Sequence, residues 1–117
     1  MYTSYMARDL RFTTNIAKVV RAMLSDPVGE HYGYDLMRKT GMPSGRLYPI
    51  LAQLEAAEWI ESRREDIDAA AAGRPARRFY RLTPDGMVLA RQGLAELLAQ
   101  LGVPPQRGLG RPEGSPA

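Results

Sequence analysis

The spacing of apolar residues changes twice along this chain, and the change limits the folds that it can adopt. Before residue 55 apolar side chains recur every three or four positions, which is the period of a helix facing a core. Two short segments, residues 59–64 and 77–82, are instead typical of strands, in which alternate side chains point to opposite faces. The helical period returns after Thr83. A chain of 117 residues has room for one ordinary domain, so we predict a mainly α domain with a β-hairpin (α+β).

Three helices are predicted before the hairpin. Thr13 or Thr14 can cap the first helix, and the second extends over residues 32–40, with Gly41 in position for a left-handed C-cap. The third helix begins near Ser44. Four apolar residues mark its buried side, namely Leu47, Ile50, Leu51 and Leu54.

The opposite face of the third helix is unusual for a face in solvent. It carries small residues, a basic residue near its start and no acid before Glu55, whereas an ordinary exposed helix face is rich in Glu and Lys. Pro49 has no amide to bond to the Gly45 carbonyl, so we expect a loose or bent first turn. Two interpretations stay open from this pattern. The face either approaches another molecule closely or is the solvent-exposed side of a core helix and has no binding role.

The predicted hairpin has strands at residues 59–64 and 77–82. Alternate residues of a strand point to opposite faces, so Arg78 and Phe79 face different ways. Residues 66–76 connect the strands, are rich in Ala, and contain Gly and Pro without an apolar pattern. We therefore predict a long, flexible tip.

Positive charge is concentrated in one part of the chain. The net charge is +3 and the isoelectric point is about 9.5, but residues 73–81 alone hold four arginines and no acid. Such a local excess is typical of a phosphate-binding surface. The alternative is a solvated hairpin whose arginines pair with Glu61 or Glu65, each pair contributing about 0–1 kcal/mol to stability.

The last predicted helix carries a coiled-coil pattern. Thr83 can cap it, with Pro84 in the first helical position. Its apolar residues follow steps of three and four, which are typical of a helix that packs against a second helix. That second helix is the first helix of the same chain, the last helix of another copy, or both. The seam consists of Met87, Ala90, Leu94, Leu97 and Leu101, widened by Leu98.

These patterns predict the domain boundaries. Residues 13–83 form the main domain, and residues 84–101 form a C-terminal dimerisation helix. Residues 102–117 are half Gly and Pro and are predicted to be a disordered tail. Residues 1–12 are mixed in character and form either a frayed tail or an arm that packs on a partner.

Several classes of function are excluded or disfavoured. The chain has no cysteine, which excludes disulfides and thiolate metal sites, and His31 is the only histidine, so no metal site is expected. No catalytic motif is present, so we predict neither an enzyme nor a cofactor. No apolar run is long enough to span a membrane and no secretory signal is evident, so we expect a cytoplasmic protein without membrane contact. We interpret Trp59 as a core anchor of the hairpin, and the alternative is a stacking platform for a flat ligand.

Two groups of residues resemble the PadR-like transcriptional regulators. The first is Tyr-Gly-Tyr-Asp-Leu at residues 32–36, with Ser-Gly-Arg-Leu-Tyr-Pro-Ile-Leu at residues 44–51 and Leu-Glu after it. The second is Gly-Arg-Pro at residues 73–75, with Arg-Arg-Phe-Tyr-Arg-Leu-Thr-Pro-Asp-Gly at residues 77–86. The resemblance covers about residues 13–100, and the combination of the two groups is specific.

The resemblance implies a winged helix-turn-helix protein, a cytoplasmic dimer that represses nearby genes. It implies a recognition helix at residues 44–57, a wing at residues 65–76 and dimerisation through the terminal helices. With one helix after the wing, the chain is similar to the shorter branch of the family. It departs from the family pattern at Glu58, where a Gly is usual, which puts the turn before the wing in question because a left-handed residue with a side chain costs about 1 kcal/mol.

The predicted function is a homodimeric repressor that binds double-stranded DNA at an inverted repeat. We expect Arg46 to read guanine and Ser44, Arg77 and Arg78 to bind phosphate. Arg74 is expected to enter or skirt the minor groove. The alternatives are a regulator with a small aromatic effector between subunits and a winged-helix interaction module that does not bind DNA. The predicted DNA contacts are Tyr34, Ser44, Gly45, Arg46, Tyr48, Pro49, Gln53, Arg63, Arg74, Arg77 and Arg78. The predicted dimer contacts are Ile16, Val20, Met87, Ala90, Leu94, Leu97, Leu98 and Leu101.

Overall fold

Residues 10–104 are described by the structure, a computed structural model, and they form five helices and three short strands. The order matches the predicted sequence of three helices, a hairpin and a last helix, with two short elements added. In chain order the elements are α1 (Thr14–Leu24), β1 (His31–Tyr32), α2 (Gly33–Thr40), α3 (Ser44–Ala56), β2 (Ile60–Arg64), α4 (Ala69–Ala72), β3 (Arg78–Leu82) and α5 (Pro84–Gln100).

Side-chain caps determine where the first and last helices begin. The Thr13 hydroxyl accepts a hydrogen bond from the Ile16 amide at 3.1 Å, and the Thr83 hydroxyl accepts one from the Gly86 amide at 2.9 Å. Each bond satisfies one of the amides that a helix start leaves without a partner. Gly41 ends α2 in the left-handed conformation, with φ at 73°. The predicted caps are confirmed.

A small antiparallel sheet holds the hairpin against the helices. Its strand order is β1-β3-β2, so β3 is the central strand. Tyr80 of β3 lies opposite His31 on one side and Ser62 on the other. The buried His31 ring donates from Nε2 to the Asp26 carbonyl oxygen at 3.0 Å. This histidine therefore fixes β1, a strand that the sequence pattern did not predict.

The core lies between the first three helices, the sheet and α5. It takes up the apolar faces of α1 and α3, the inner face of the sheet and part of α5. Ile16, Val20 and Ala90 are 2%, 0% and 0% exposed. Their predicted place in a dimer surface is corrected by this burial, because their side chains are enclosed within the subunit.

Trp59 joins the hairpin to both ends of the domain. Its side chain is buried and stacks on Phe12, with ring centroids 6.0 Å apart. Phe12 also occupies the space that a side chain at Gly93 would need, and a Cβ on Gly86 would collide with the Trp59 carbonyl oxygen. The interpretation of Trp59 as a core anchor is confirmed. Phe12 belongs to the domain, while residues 1–9 and 105–117 of the predicted arm and tail lie outside the described residues.

The turn between α3 and β2 keeps a left-handed residue although that residue is Glu58, with φ at 67°. A residue with a Cβ costs about 1 kcal/mol in this conformation. The Thr83 hydroxyl donates to the Glu58 carbonyl oxygen at 2.9 Å, and the Thr83 amide donates to the Trp59 carbonyl oxygen at 3.0 Å. These bonds tie the turn to the start of α5, so the turn keeps its shape without glycine.

The tip of the hairpin contains one helical turn, an element that the sequence pattern did not predict. The Asp68 side chain caps α4 by accepting from the Ala70 amide at 3.1 Å, and Gly73 closes the turn with φ at 73°. Between them lie four alanines, the residue with the highest helix propensity. A cap, a strong helix former and a glycine are together enough to form one helical turn. Within residues 10–104, no helix combines the length and apolarity needed to cross a bilayer.

Candidate nucleic-acid interface

The exposed side of α3 is a strip of small residues with polar residues at its two borders. At about 100° per residue, Gly45, Pro49, Ala52 and Ala56 share the middle of the exposed arc, opposite the buried leucines. All four are exposed. The backbone of α3 can therefore be approached closely along this strip.

One border of the strip carries Arg46 and Gln53. Both are exposed, and they line an open groove of about 560 Å³ together with Thr13 and Asn15 from the start of α1. Within the described part of the chain, the Arg46 guanidinium makes no hydrogen bond or ion pair. Its charge is therefore available to a partner.

The other border carries Tyr48 and Glu55. Tyr48 is 43% exposed and its ring lies over Gly33, the buried first residue of α2, where a Cβ would come within 2.9 Å of the ring carbon Cζ. Burial raises the pKa of Tyr80, and the nearby Tyr48 and Glu55 add to this rise while Arg78 opposes it. These groups therefore share one region between α3 and the sheet.

A chain of two hydrogen bonds connects this border of α3 to both strands of the hairpin. Arg78 Nη1 on β3 donates to Ser62 Oγ on β2 at 3.0 Å. Ser62 Oγ donates to Glu55 Oε2 on α3 at 2.8 Å. Arg78 is thereby held on the α3 side of the sheet.

The outer face of the sheet carries other arginines in a different setting. Arg63 lies 5.3 Å from the centre of the Phe79 ring, and Arg77 lies 5.1 Å from the centre of the Tyr32 ring. The two rings are 4.6 Å apart. Arg63 also pairs with Glu30 at 2.8 Å. Arg63 and Arg77 thus each pack on one ring of the adjacent Phe79–Tyr32 pair, on the face of the sheet opposite Arg78.

Arg74 at the hairpin tip is bound by the wing's own acid. Its guanidinium donates two hydrogen bonds to the Glu65 carboxylate, at 2.8 and 3.1 Å, and the Arg77 amide donates a third at 3.1 Å. The Arg74 guanidinium and the Arg77 amide lower the pKa of Glu65 from 4.5 to about 2. The carboxylate in turn raises the pKa of Arg74. Much of the Arg74 charge is neutralised within the wing.

The predicted DNA contacts therefore lie in four places. The structure brings six of them together on the exposed arc of α3, with Arg78 beside that arc, and it exposes Tyr34 in the first turn of α2. Arg63 and Arg77 lie on the other face of the sheet, and Arg74 lies at the tip. The six residues on α3 are Ser44, Gly45, Arg46, Tyr48, Pro49 and Gln53.

The sequence prediction missed the roles of three residues in this region, namely Gly33, Glu55 and Ser62. Gly33 makes room for Tyr48, and the other two bind Arg78 to α3. Each acts through a contact between elements that are separate in the sequence. The sequence held one indication of the contact between Ser62 and Arg78. Both residues occupy strand positions whose side chains point to the same side of the sheet.

The predicted dimer residues of α5 border a second groove. Leu94, Leu97 and Leu98 are partly exposed and line an opening of about 930 Å³ between α5 and α1. Basic residues Lys18, Arg21 and Lys39 stand around it. Leu101 is 67% exposed, while Met87 packs against the core. In residues 10–104, no cluster of three acidic or histidine side chains could hold a metal ion.

Comparison with known proteins agrees with this arrangement. The sequence profile of the Transcriptional regulator PadR-like family matches residues 22–92, more than half of the chain. None of the curated protein sequences compared with the chain matches it.

Solved structures with the same fold come from several bacteria. A transcriptional regulator from Clostridium thermocellum has a TM-score of 0.59 at 22% identity, over 75% of this chain and 84% of its own. A PadR family transcriptional regulator from Eggerthella lenta has a TM-score of 0.58 at 21% identity, over 74% and 80%. Diamide-treated YodB from B. subtilis has a TM-score of 0.56 at 18% identity, over 90% and 94%.

The fold and the profile match lead to the same assignment. The three helices with a hairpin wing are a winged helix-turn-helix, as the sequence predicted. Members of the matching family are transcriptional regulators and not enzymes. This chain belongs to the PadR-like family of transcriptional regulators.

Proposed function

We propose that this protein is a sequence-specific repressor that binds an inverted repeat in double-stranded DNA as a homodimer. The exposed arc of α3 carries the proposal, because its small-residue strip lies between Arg46, which has no partner among residues 10–104, and Arg78 of the hairpin. Family membership supports DNA binding in general. The specific operator, the dimer and repression are parts of the proposal.

The small-residue strip suits insertion of α3 into the major groove. Gly45 and Ala52 allow base edges to approach the helix backbone without a long side chain between them. Arg46 on one border can donate two hydrogen bonds to guanine O6 and N7, and Gln53 beside it can bond adenine N6 and N7 in the same bidentate way. Tyr48 on the other border can contact a thymine methyl or a phosphate.

Phosphate binding has two sources in this geometry. The N-cap residue of α3 is Pro43, which provides no side-chain cap, so the amides of Ser44 and Gly45 remain available to an anion. Arg78 provides a charge from the wing side, and a guanidinium has five N–H donors, of which one is used by Ser62. Contacts on both sides of the strip would position α3 in the groove.

We expect a dimer because a single domain contacts too few base pairs to define an operator. One recognition helix reads only a few base pairs, so a specific operator needs two half-sites about 34 Å apart, or a multiple of that spacing. We propose that the partner's α5 packs into the groove lined by Leu94, Leu97 and Leu98, and that the exposed Leu101 extends this surface. Repression then requires only occupancy of a promoter in the cytoplasm, where the DNA is.

DNA binding and dimerisation can be tested together. A duplex selected from a random library should bind with nanomolar affinity, lose affinity steeply with salt, and contain an inverted repeat. Light scattering should give the mass of a dimer, and Leu97→Glu should give a monomer that binds DNA weakly but stays folded. Equal binding to all duplexes, or no salt-dependent binding at all, would favour an interaction module instead.

A small aromatic effector is the second candidate function, and the groove between α5 and α1 supports it. Its volume lies within the usual range for small-molecule sites, its floor is apolar and its rim is basic. An aromatic acid that fits there would compete with packing of the partner's α5. A panel of phenolic acids should include a compound that releases the wild-type protein from DNA, and Leu94→Trp should abolish that release. Unchanged DNA affinity at saturation with every compound would reject effector control by this class.

A further inference from the structure

We infer that Ser62 and Glu55 are positioning residues that orient the phosphate-binding Arg78 beside the recognition helix. This inference rests on the proposed DNA-binding function and adds to it the device that couples the wing to α3. Arg78, Ser62 and Glu55 lie on three different elements and are linked by hydrogen bonds of 3.0 and 2.8 Å.

The direction of both bonds is fixed by the chemistry of the groups. A guanidinium can only donate and a carboxylate can only accept, whereas a hydroxyl does both. Ser62 must therefore give its single proton to Glu55 and accept from Arg78. Charge at both ends strengthens the two bonds, since hydrogen bonds to ionised groups are stronger than neutral ones.

The position of Glu55 explains how these two hydrogen bonds would affect phosphate binding. Glu55 is the one acid of α3, and it stands on the border of the exposed arc that faces the wing. A free carboxylate there would repel phosphate. In the structure its charge instead attracts the Ser62 proton, and through Ser62 it holds Arg78 on the α3 side of the sheet.

Ser62 orients Arg78 and leaves most of its N–H donors able to bind phosphate. One N–H of the guanidinium is used, so four remain for phosphate oxygens. Arg63, the neighbour of Ser62 on β2, faces the other side and stacks on Phe79. Because side chains alternate along β2, Arg63 packs on the outer face of the sheet, whereas Ser62 points to the inner face and binds Arg78.

The decisive experiment is a double-mutant cycle on a mixed-sequence duplex, measured at two salt concentrations. Ser62→Ala should weaken binding roughly threefold, as expected for one orienting hydrogen bond, and should leave the salt slope unchanged because no charge is lost. In an Arg78→Ala background the same change should have no further effect. Ser62→Thr keeps the hydroxyl and should restore wild-type binding. An equal loss in both backgrounds, or full affinity in Ser62→Ala, would overturn the inference.

A measurement without DNA separates this inference from the proposed function. Relaxation of the Arg78 Nε–H group by NMR should report an ordered guanidinium in the wild type and in Ser62→Thr, and a mobile one in Ser62→Ala and Glu55→Ala. If the protein binds no duplex, the proposed function fails, and the relaxation data still decide on the network. An Arg78 side chain equally mobile in all four proteins would refute it.

Discussion

The two faces of the wing sheet carry the same kind of residue in opposite settings. On the inner face Arg78 is exposed and held by one hydrogen bond beside α3. On the outer face Arg63 and Arg77 lie against the rings of Phe79 and Tyr32. The comparison shows that arginine content alone does not identify a DNA-binding surface. The partners of each guanidinium decide whether it stabilises the wing or remains free for phosphate.

The largest effect is expected at Arg46, which makes no hydrogen bond or ion pair with any residue that the structure describes. Arg46→Ala should cost about 1–3 kcal/mol of preference at one base pair of the operator, up to roughly a hundredfold in affinity. Arg46→Lys keeps the charge but not the two-pronged geometry, so it should lose the same preference with an unchanged salt slope. Competition titrations with single-base operator variants would measure both. Retained base preference in both variants would remove Arg46 from the reading surface.

The small-residue strip should respond next, in a way that separates folding from binding. A Cβ at Gly45 meets no atom within 4 Å, so Gly45→Ala should stabilise α3 by up to about 1 kcal/mol. If the strip faces DNA, the same methyl group should weaken binding roughly tenfold, because overpacking costs 1–3 kcal/mol. Thermal unfolding and DNA titration of the same sample test this pair of effects. Unchanged DNA affinity would show that α3 does not approach the duplex along this strip.

Much of the fold follows from local sequence patterns. The caps at Thr13 and Thr83, the left-handed Gly41 and the helix-strand-helix order could be predicted because each depends on neighbouring residues. The helical turn of α4 could have been found in the same way, since Asp68 and Gly73 enclose a run of alanine.

The rest depends on contacts between distant segments. β1 has only two residues and no pattern of its own, and it exists because His31 pairs with Tyr80 across the sheet. Which arginines point toward α3 depends on strand register, and the room for Tyr48 depends on the buried Gly33 of another helix. The sequence predicted six DNA contacts on α3 that the structure places on its exposed side, but it could not show which of Arg77 and Arg78 lies beside them.

A matched pair of arginine variants tests that separation directly. Arg78→Ala should weaken all duplexes several-fold and reduce the salt slope by about one, as expected for one phosphate contact. Arg77→Ala removes a guanidinium that stacks on Tyr32, and we expect less than a twofold change in DNA affinity. Titrations at two salt concentrations give both numbers. An effect of Arg77→Ala as large as that of Arg78→Ala would place the outer face on DNA as well.

The smallest effect is expected at the wing tip and depends on pH. The pKa of Glu65 is lowered to about 2, so the Arg74–Glu65 pair should contribute fully above pH 4.5 and be lost as pH falls toward 2. A carboxyl-carbon NMR titration should show Glu65 still ionised at pH 4. Arg74→Ala should return its midpoint toward the ordinary value of 4.5. A midpoint near 4.5 in the wild type would mean that the tip is not held by this pair.

Mapping of backbone amide shifts during titration with a duplex tests the central claim most directly. The account predicts large shift changes along the exposed arc of α3, from Ser44 to Gln53, and at Arg78. It predicts small changes at Tyr32 and Phe79 on the outer face of the sheet. Large changes on the outer face with little change along α3 would contradict the assignment of α3 as the helix that reads DNA.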